Sequence, residues 1–159
     1  MFKYDHQCAK MVIVLKKNRW EGGTAYLYGP DGRTLLEVPC RGKADGQRAK
    51  KATNPERRSI YKYGDTPCGD YEPTTCVRLP EEYEGKLGKY WFALNGEFGD
   101  AYVARFLGHR TGLGGHGGKG EELRATYGCI RFKDSDMERI AHVCKNQTFR
   151  VTIMEIDDD

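Results

Sequence analysis

No apolar run in the sequence approaches the length of a membrane span. Near the N-terminus the stretch Met11 to Leu15 has only five apolar residues, with charges crowding both sides, whereas a spanning helix needs roughly 20. The same segment lacks the layout of a cleaved signal peptide. Three expectations follow: an intracellular protein, a trimmed mature domain, or a protein exported by a leaderless route. None of the 6 cysteines belongs to a Cys-x-x-Cys pair, which weakens zinc-ribbon and thioredoxin-type readings. Cys68 and Cys76 are the nearest pair, but a stable bridge is not expected in a chain without a secretion signal. An excess of one charge is lacking too: 26 basic residues against 23 acidic ones leave +3, too mild to argue for nucleic acid. There is no internal repeat and no low-complexity tract.

At 159 residues, 38% hydrophobic and 31% charged, the chain is expected to form one domain, 1–159, with a core of its own. Charge is unevenly placed. Residues 41–62 hold eight Lys and Arg against two acids, and the C-terminus reads EIDDD. The plain reading of the basic stretch is a solvated, mobile loop; the sharper one is a patch for an anionic polymer such as cell wall or nucleic acid.

Residues 10–16 (KMVIVLK), rich in β-branched side chains, and 24–29 (TAYLYG), which alternate, predict strands. A PDG turn then leads into a third, RTLLEVPC. Strands are also predicted over CVRLP (76–80), KYWFALN (89–95), AYVARFL (101–107) and TFRVTIMEI (148–156). One helix is predicted over about 134–145. Met137, Ile140, Ala141 and Cys144 recur there at helical spacing, and Ser135 with Glu138 has the form of a capping box. The expected class is mainly β (α+β), with that helix packed on the sheet.

The chemistry concentrates in GLGGHGGKGEELRATYGCIRF, residues 112–132. Cysteine catalysis needs a thiolate, a base and donors for the charge that develops on an attacked carbonyl. Cys129 supplies a thiol, and His116 is the nearest base. Backbone N–H groups around Gly128 and Cys129 are the candidate donors, and glycine before the thiol lets substrate approach the backbone. Arg131 falls on the same side of a strand as Cys129 and is a candidate for a substrate carboxylate. The bland alternative is a core thiol and a surface imidazole. His6 lies near the terminus, His142 on the outer face of the helix, and His109 is a surface residue near enough to assist.

These residues resemble the signature of the L,D-transpeptidase catalytic domain, the YkuD family: His-Gly, a spacer, then Ser/Thr-His-Gly-Cys, an apolar residue and Asn or Arg. His116 and Gly117 match its first half; Thr126, Gly128, Cys129, Ile130 and Arg131 match its second. Thr66, Pro67, Gly69 and Tyr71 look like the family's Thr-Pro-x-Gly-x-Phe/Tyr segment, and the resemblance is strongest from 63 to 154. Tyr127 departs from the pattern, standing where the family has histidine, and the spacer is shorter than usual.

The resemblance implies a β-sandwich bearing one helix after the cysteine, and a cysteine acyltransferase acting on peptidoglycan stem peptides without metal or cofactor. Cys129 would be the nucleophile and His116 the base, oriented by the Gly117 carbonyl. Tyr127, Gly128 and Cys129 would be backbone donors, Thr126 and His109 substrate contacts, and Arg131 either a substrate contact or a structural ion-pair partner. Its substrate lies in the periplasm or cell wall. A leaderless chain of 18.1 kDa therefore also suggests an antibacterial effector, with a secretion-system carrier and an immunity protein as partners. The rival readings are an inactive wall-binding module and a nucleic-acid binder using the basic stretch.

Overall fold

The computed structural model describes residues 8–158; His6 lies outside the described residues. Three antiparallel strands open the fold: β1 (Lys10–Lys16), β2 (Gly23–Tyr28) and β3 (Thr34–Cys40). Burial along β1 alternates strictly, placing Met11, Ile13 and Leu15 in the core, as expected of a strand with one face inward. The basic stretch follows and contains helix α1 (Gly46–Lys51). Short strands β4 (Gly69–Tyr71) and β5 (Thr74–Arg78) come next, then α2 (Glu84–Leu87) and strands β6 (Tyr90–Ala93) and β7 (Gly96–Phe98). After α3 (Asp100–Phe106) come β8 (Gly114–His116), β9 (Ile130–Arg131), α4 (Asp134–Val143) and β10 (Thr148–Ile156).

Pairing follows one path, β3-β2-β1-β10-β5-β6-β8-β9, with β4 bridging β10 and β7. The architecture is mainly β, as expected. At its centre β1 and β10 run parallel in register, Met11 opposite Val151 and Ile13 opposite Ile153, so the first and last strands of the described chain are neighbours. Phe149, Val151 and Ile153 fill the same core as Met11 and Ile13. Helix α4 covers it with Met137, Ile140 and Val143. Cys144 is fully buried close to Cys8, and the proximity of the two thiols lowers that of Cys8 and raises that of Cys144; Cys8 Sγ itself donates to Lys10 O at 3.6 Å.

The structure departs from the sequence reading in three places. Residues 100–106 are helical, not a strand: Ala101 and Ala104, three apart, are the buried positions, while Tyr102 and Phe106 are exposed and touch each other at 4.8 Å. The aromatic residues suggested a strand, but the buried spacing is that of a helix. The capping box of α4 does not form. The Ser135 hydroxyl instead donates to Glu121 Oε1 at 2.5 Å, and Glu138 pairs with Lys89 at 3.7 Å.

The basic stretch is the third departure. Residues 41–45 run beside the strand that follows the site cysteine, with Arg41 N–H donating to Arg131 O at 3.0 Å and Asp45 N–H to Thr126 O at 2.7 Å. The Asp45 carboxylate caps α1 by accepting the Arg48 N–H at 3.0 Å. Beyond that helix, buried Asn54 donates to Arg58 O and accepts its N–H, closing the turn. A solvated loop would leave these groups to water; here they are satisfied within the protein.

Candidate active site

Strand β8 pairs in parallel with β9, Gly115 opposite Ile130 and His116 opposite Arg131. Side chains alternate along a strand, so Ile130 and Gly115 face the core. His116, Arg131 and Cys129, the residue just before β9, share the other face. That face lines a cavity of about 790 Å³, together with Trp91, Leu113, Tyr63 and Tyr127. The expected nucleophile and base are thus brought onto adjacent strands over one opening.

The glycines around His116 are required by ring packing. A Cβ on Gly114 would lie 2.4 Å from the Trp91 ring. With no side chain there, the Trp91 indole lies flat against the His116 imidazole, 5.6 Å between centroids and 11° from parallel. His116 is 2% exposed. Burial, with the nearby Arg131 charge, pushes its pKa down to about 4, against the opposing pull of the Gly117 carbonyl and Asp134. The imidazole is therefore neutral at neutral pH. Nδ1 lies 2.8 Å from Gly117 O; a carbonyl can only accept, so Nδ1 carries the hydrogen and Nε2 keeps its lone pair. Arg131 donates to the same Gly117 oxygen at 2.5 Å, and to Lys86 O and Arg124 O. Its guanidinium, 5% exposed, thus acts on the carbonyl that holds the His116 imidazole, besides lining the cavity.

Cys129 is half-buried. Its thiol lies 3.8 Å from Gly112 O. Burial pushes the thiol up; the Gly114 N–H and the charges of Arg110 and Arg131 act in the opposite direction. These directions favour the uncharged forms, a neutral thiol and a neutral imidazole lining the same cavity, over an ion pair.

The turn before Cys129 is tied from several sides. The Thr126 hydroxyl donates to Cys129 O at 2.8 Å and accepts the Gly128 N–H at 2.9 Å. Thr66 Oγ1, from the Thr-Pro segment, donates to Gly128 O at 2.5 Å. Two expectations change here. The Gly128 N–H is already spent on Thr126, which leaves Tyr127 and Cys129 as the backbone donors of the expected set. Thr126 lines the cavity, but its hydroxyl builds the turn. His109 is exposed at the cavity rim, with a positive φ of 54°.

Tyr127, the departure from the family pattern, is 61% exposed at the mouth. Its ring meets Tyr63 edge-on at 5.6 Å, and the Arg48 guanidinium covers Tyr63 at 3.9 Å. The basic stretch thus builds one wall of the opening.

Sequence reasoning missed three contributors. Arg110 lies behind Gly128. Asp134 accepts the N–H groups of Gly118 and Gly120 at 2.6 and 2.9 Å, fixing the turn after His116. Asp65 accepts Ala44 N–H at 2.8 Å, anchoring the basic stretch. The only sequence signal for Asp65 and Asp134 was their place beside the matched segments; Arg110 had none. Among the described residues no group of three or more His, Cys, Asp or Glu is arranged to hold a metal ion, and no helix is long and apolar enough to cross a membrane.

No known family's sequence pattern matches the chain, and no curated protein sequence does. Solved structures share its fold. Bd1075 from Bdellovibrio bacteriovorus superposes with a TM-score of 0.56 at 14% identity, over 93% of this chain and 48% of that one. The helical cell shape determining protein Pgp2 from Campylobacter jejuni gives 0.55 at 17%, over 99% and 53%. A mutant of the same protein gives 0.56 at 19%, over 98% and 50%. The chain therefore spans about half the length of the structures it matches, and at these identities what is shared is the fold.

Proposed function

We propose that the cavity is the active site of a cysteine acyltransferase of the L,D-transpeptidase or L,D-carboxypeptidase type, acting on peptidoglycan stem peptides, and that the strand path forms the sandwich of that family. One observation carries the reading. His116 and Cys129 share the same face of paired strands over one cavity, and the Gly117 carbonyl fixes the histidine as the tautomer with a basic Nε2. The fold shared with a cell shape determining protein supports a role at the cell wall. The exposed lysines 62, 86 and 119 at the cavity suit a peptide that carries several carboxylates.

In this mechanism Nε2 of His116 takes the Cys129 proton as Sγ attacks the carbonyl of the third stem residue, a diaminopimelate. The oxyanion lies against the N–H groups of Cys129 and Tyr127. Collapse breaks the peptide bond, and the terminal D-amino acid leaves with the proton from the imidazole. The resulting thioester then passes its acyl group to an amine, giving a cross-link or an exchanged D-amino acid, or to water. Either acceptor gives its proton to His116, and the Cys129 thiol is regenerated. Delivery to a competitor's periplasm as an effector, with a carrier and an immunity protein, is part of the same proposal. It requires that periplasmic expression impair growth or shape through Cys129.

Digestion of muropeptides by the wild type and Cys129→Ala, read by mass spectrometry, tests the chemistry. Loss of a terminal D-alanine or appearance of new dimers, each absent with Cys129→Ala, is expected. Unchanged muropeptides with the wild type would sink the assignment in favour of a binding module.

A further inference from the structure

Arg110 is a buried cation whose hydrogen-bond partners are all neutral. It sits in the loop before β8 and is 5% exposed. Nη1 donates to Ser59 O at 2.5 Å and Asp65 O at 2.8 Å; Nη2 donates to Gly64 O at 2.9 Å and Tyr127 O at 3.4 Å. Every acceptor is a backbone carbonyl. Among the described residues no carboxylate forms an ion pair with it, and the nearby Asp65 carboxylate is turned to Arg57 at 3.2 Å and to the Ala44 N–H. A buried charge ordinarily has a counter-ion, because desolvation is expensive without one.

Three ionisable groups act on Arg110, namely Tyr71, Cys129 and Asp65; Asp65 is already ion-paired with Arg57, which leaves one unpaired candidate for the counter-ion. Tyr71 is near, but burial pushes its phenol far up, so it stays neutral. The candidate is Cys129. Arg110 presses against the residue before it: a Cβ on Gly128 would lie 2.1 Å from Nη2. The remaining charged groups lining the cavity are Arg131 on β9, Lys62, Lys86, Lys119 and Asp45, whose carboxylate is committed to the Arg48 N–H at the cap of α1. His116 on β8 is neutral, and His109, Tyr63 and Tyr127 are the other titratable side chains there. Arg131 is engaged by three other carbonyls. On the far side of His116, Asp134 is committed to the Gly118 and Gly120 N–H groups.

We propose that Arg110 is a positioning residue for the nucleophile: a buried, preorganised positive charge whose counter-ion is the Cys129 thiolate, formed when His116 takes the thiol proton. Its fork also ties the turn at Gly64 and Asp65 to the turn at Tyr127 and Gly128, so one side chain holds the thiolate's place and favours its charge. The proposal rests on Cys129 being the nucleophile, but not on what substrate it attacks.

The rate of Cys129 alkylation by iodoacetamide against pH tests this without any substrate, with Cys129→Ala giving the background from the other cysteines. For Arg110→Gln the alkylation midpoint is expected to rise by about one pH unit, with the rate below it about ten-fold slower. Arg110→Lys keeps the charge but loses the fork, and its midpoint is expected near that of the wild type. Circular dichroism checks folding. If Arg110→Gln folds and alkylates with the wild-type midpoint, the proposal is wrong. If the glutamine variant does not fold, the lysine variant decides, and a full-unit rise in its midpoint would equally overturn the proposal. Alkylation that behaves as expected in a protein inert towards muropeptides would refute the substrate and leave the role of Arg110 standing.

Discussion

Lowering pH should destabilise the protein through His116 in particular. Its pKa falls from an ordinary 6.5 to about 4 in the fold, so the unfolded chain binds a proton that the folded one refuses. The sign is fixed by that direction: stability is fully present above pH 6.5, falls as pH drops towards 4, and changes no further below that. A drop from 6.5 to about 4 corresponds to roughly 3 kcal/mol. That is a sizeable share of the roughly 5–15 kcal/mol that holds a domain of ordinary stability together. Discounting for solvent is unnecessary for a side chain only 2% exposed. Urea unfolding of wild type and His116→Gln at half-unit steps from pH 7.5 to 4 measures it. The variant loses the imidazole packing against Trp91 and is less stable at neutral pH. Its stability should nevertheless fall less on acidification, by about 3 kcal/mol over the window. The carboxylates and the remaining histidines titrate alike in both proteins and cancel. Parallel curves would refute the neutral, buried imidazole on which the proposed base depends.

Two further outcomes follow from the same geometry. Gly128→Ala meets a φ of 119° and a Cβ position 2.1 Å from Arg110 Nη2 and 2.8 Å from Gly64 O. Backbone strain and overpacking together should cost about 2–5 kcal/mol, read as a lower denaturant midpoint with loss of Cys129 alkylation. Asp134→Ala frees the N–H groups of Gly118 and Gly120. It should cost about 1–3 kcal/mol and lower the rate of the proposed acyl transfer with Cys129 still alkylated. An unchanged rate would show that the turn after His116 holds itself.

Legibility followed the range of each interaction. The β1 and β10 strands could be read because burial alternates with every residue, and α4 because Met137, Ile140 and Cys144 fall on one helical stripe. In α3, five of the seven residues are apolar or aromatic, so their type could not show that only Ala101 and Ala104 are inward. The capping box failed because Ser135 found a stronger partner in Glu121, 14 positions away.

The sequence by itself determined the mainly β class, the positions of β1, β2, β3, β5, β6, α4 and β10, and the grouping of His116, Gly117, Gly128, Cys129 and Arg131 in one short segment. Periodicity, turn residues and a spaced signature are local, and they need only neighbouring residues to be visible. Tertiary structure alone decided that the basic stretch walls the cavity, that Tyr127 leans on Tyr63, and that Thr66 and Arg110 hold the turn before Cys129. Those contacts join residues 62 positions apart for Thr66 and Gly128, and 51 apart for Arg110 and Ser59. Only the folded sheet brings such groups together, and a buried guanidinium or hydroxyl then takes whichever carbonyl the packing leaves within reach.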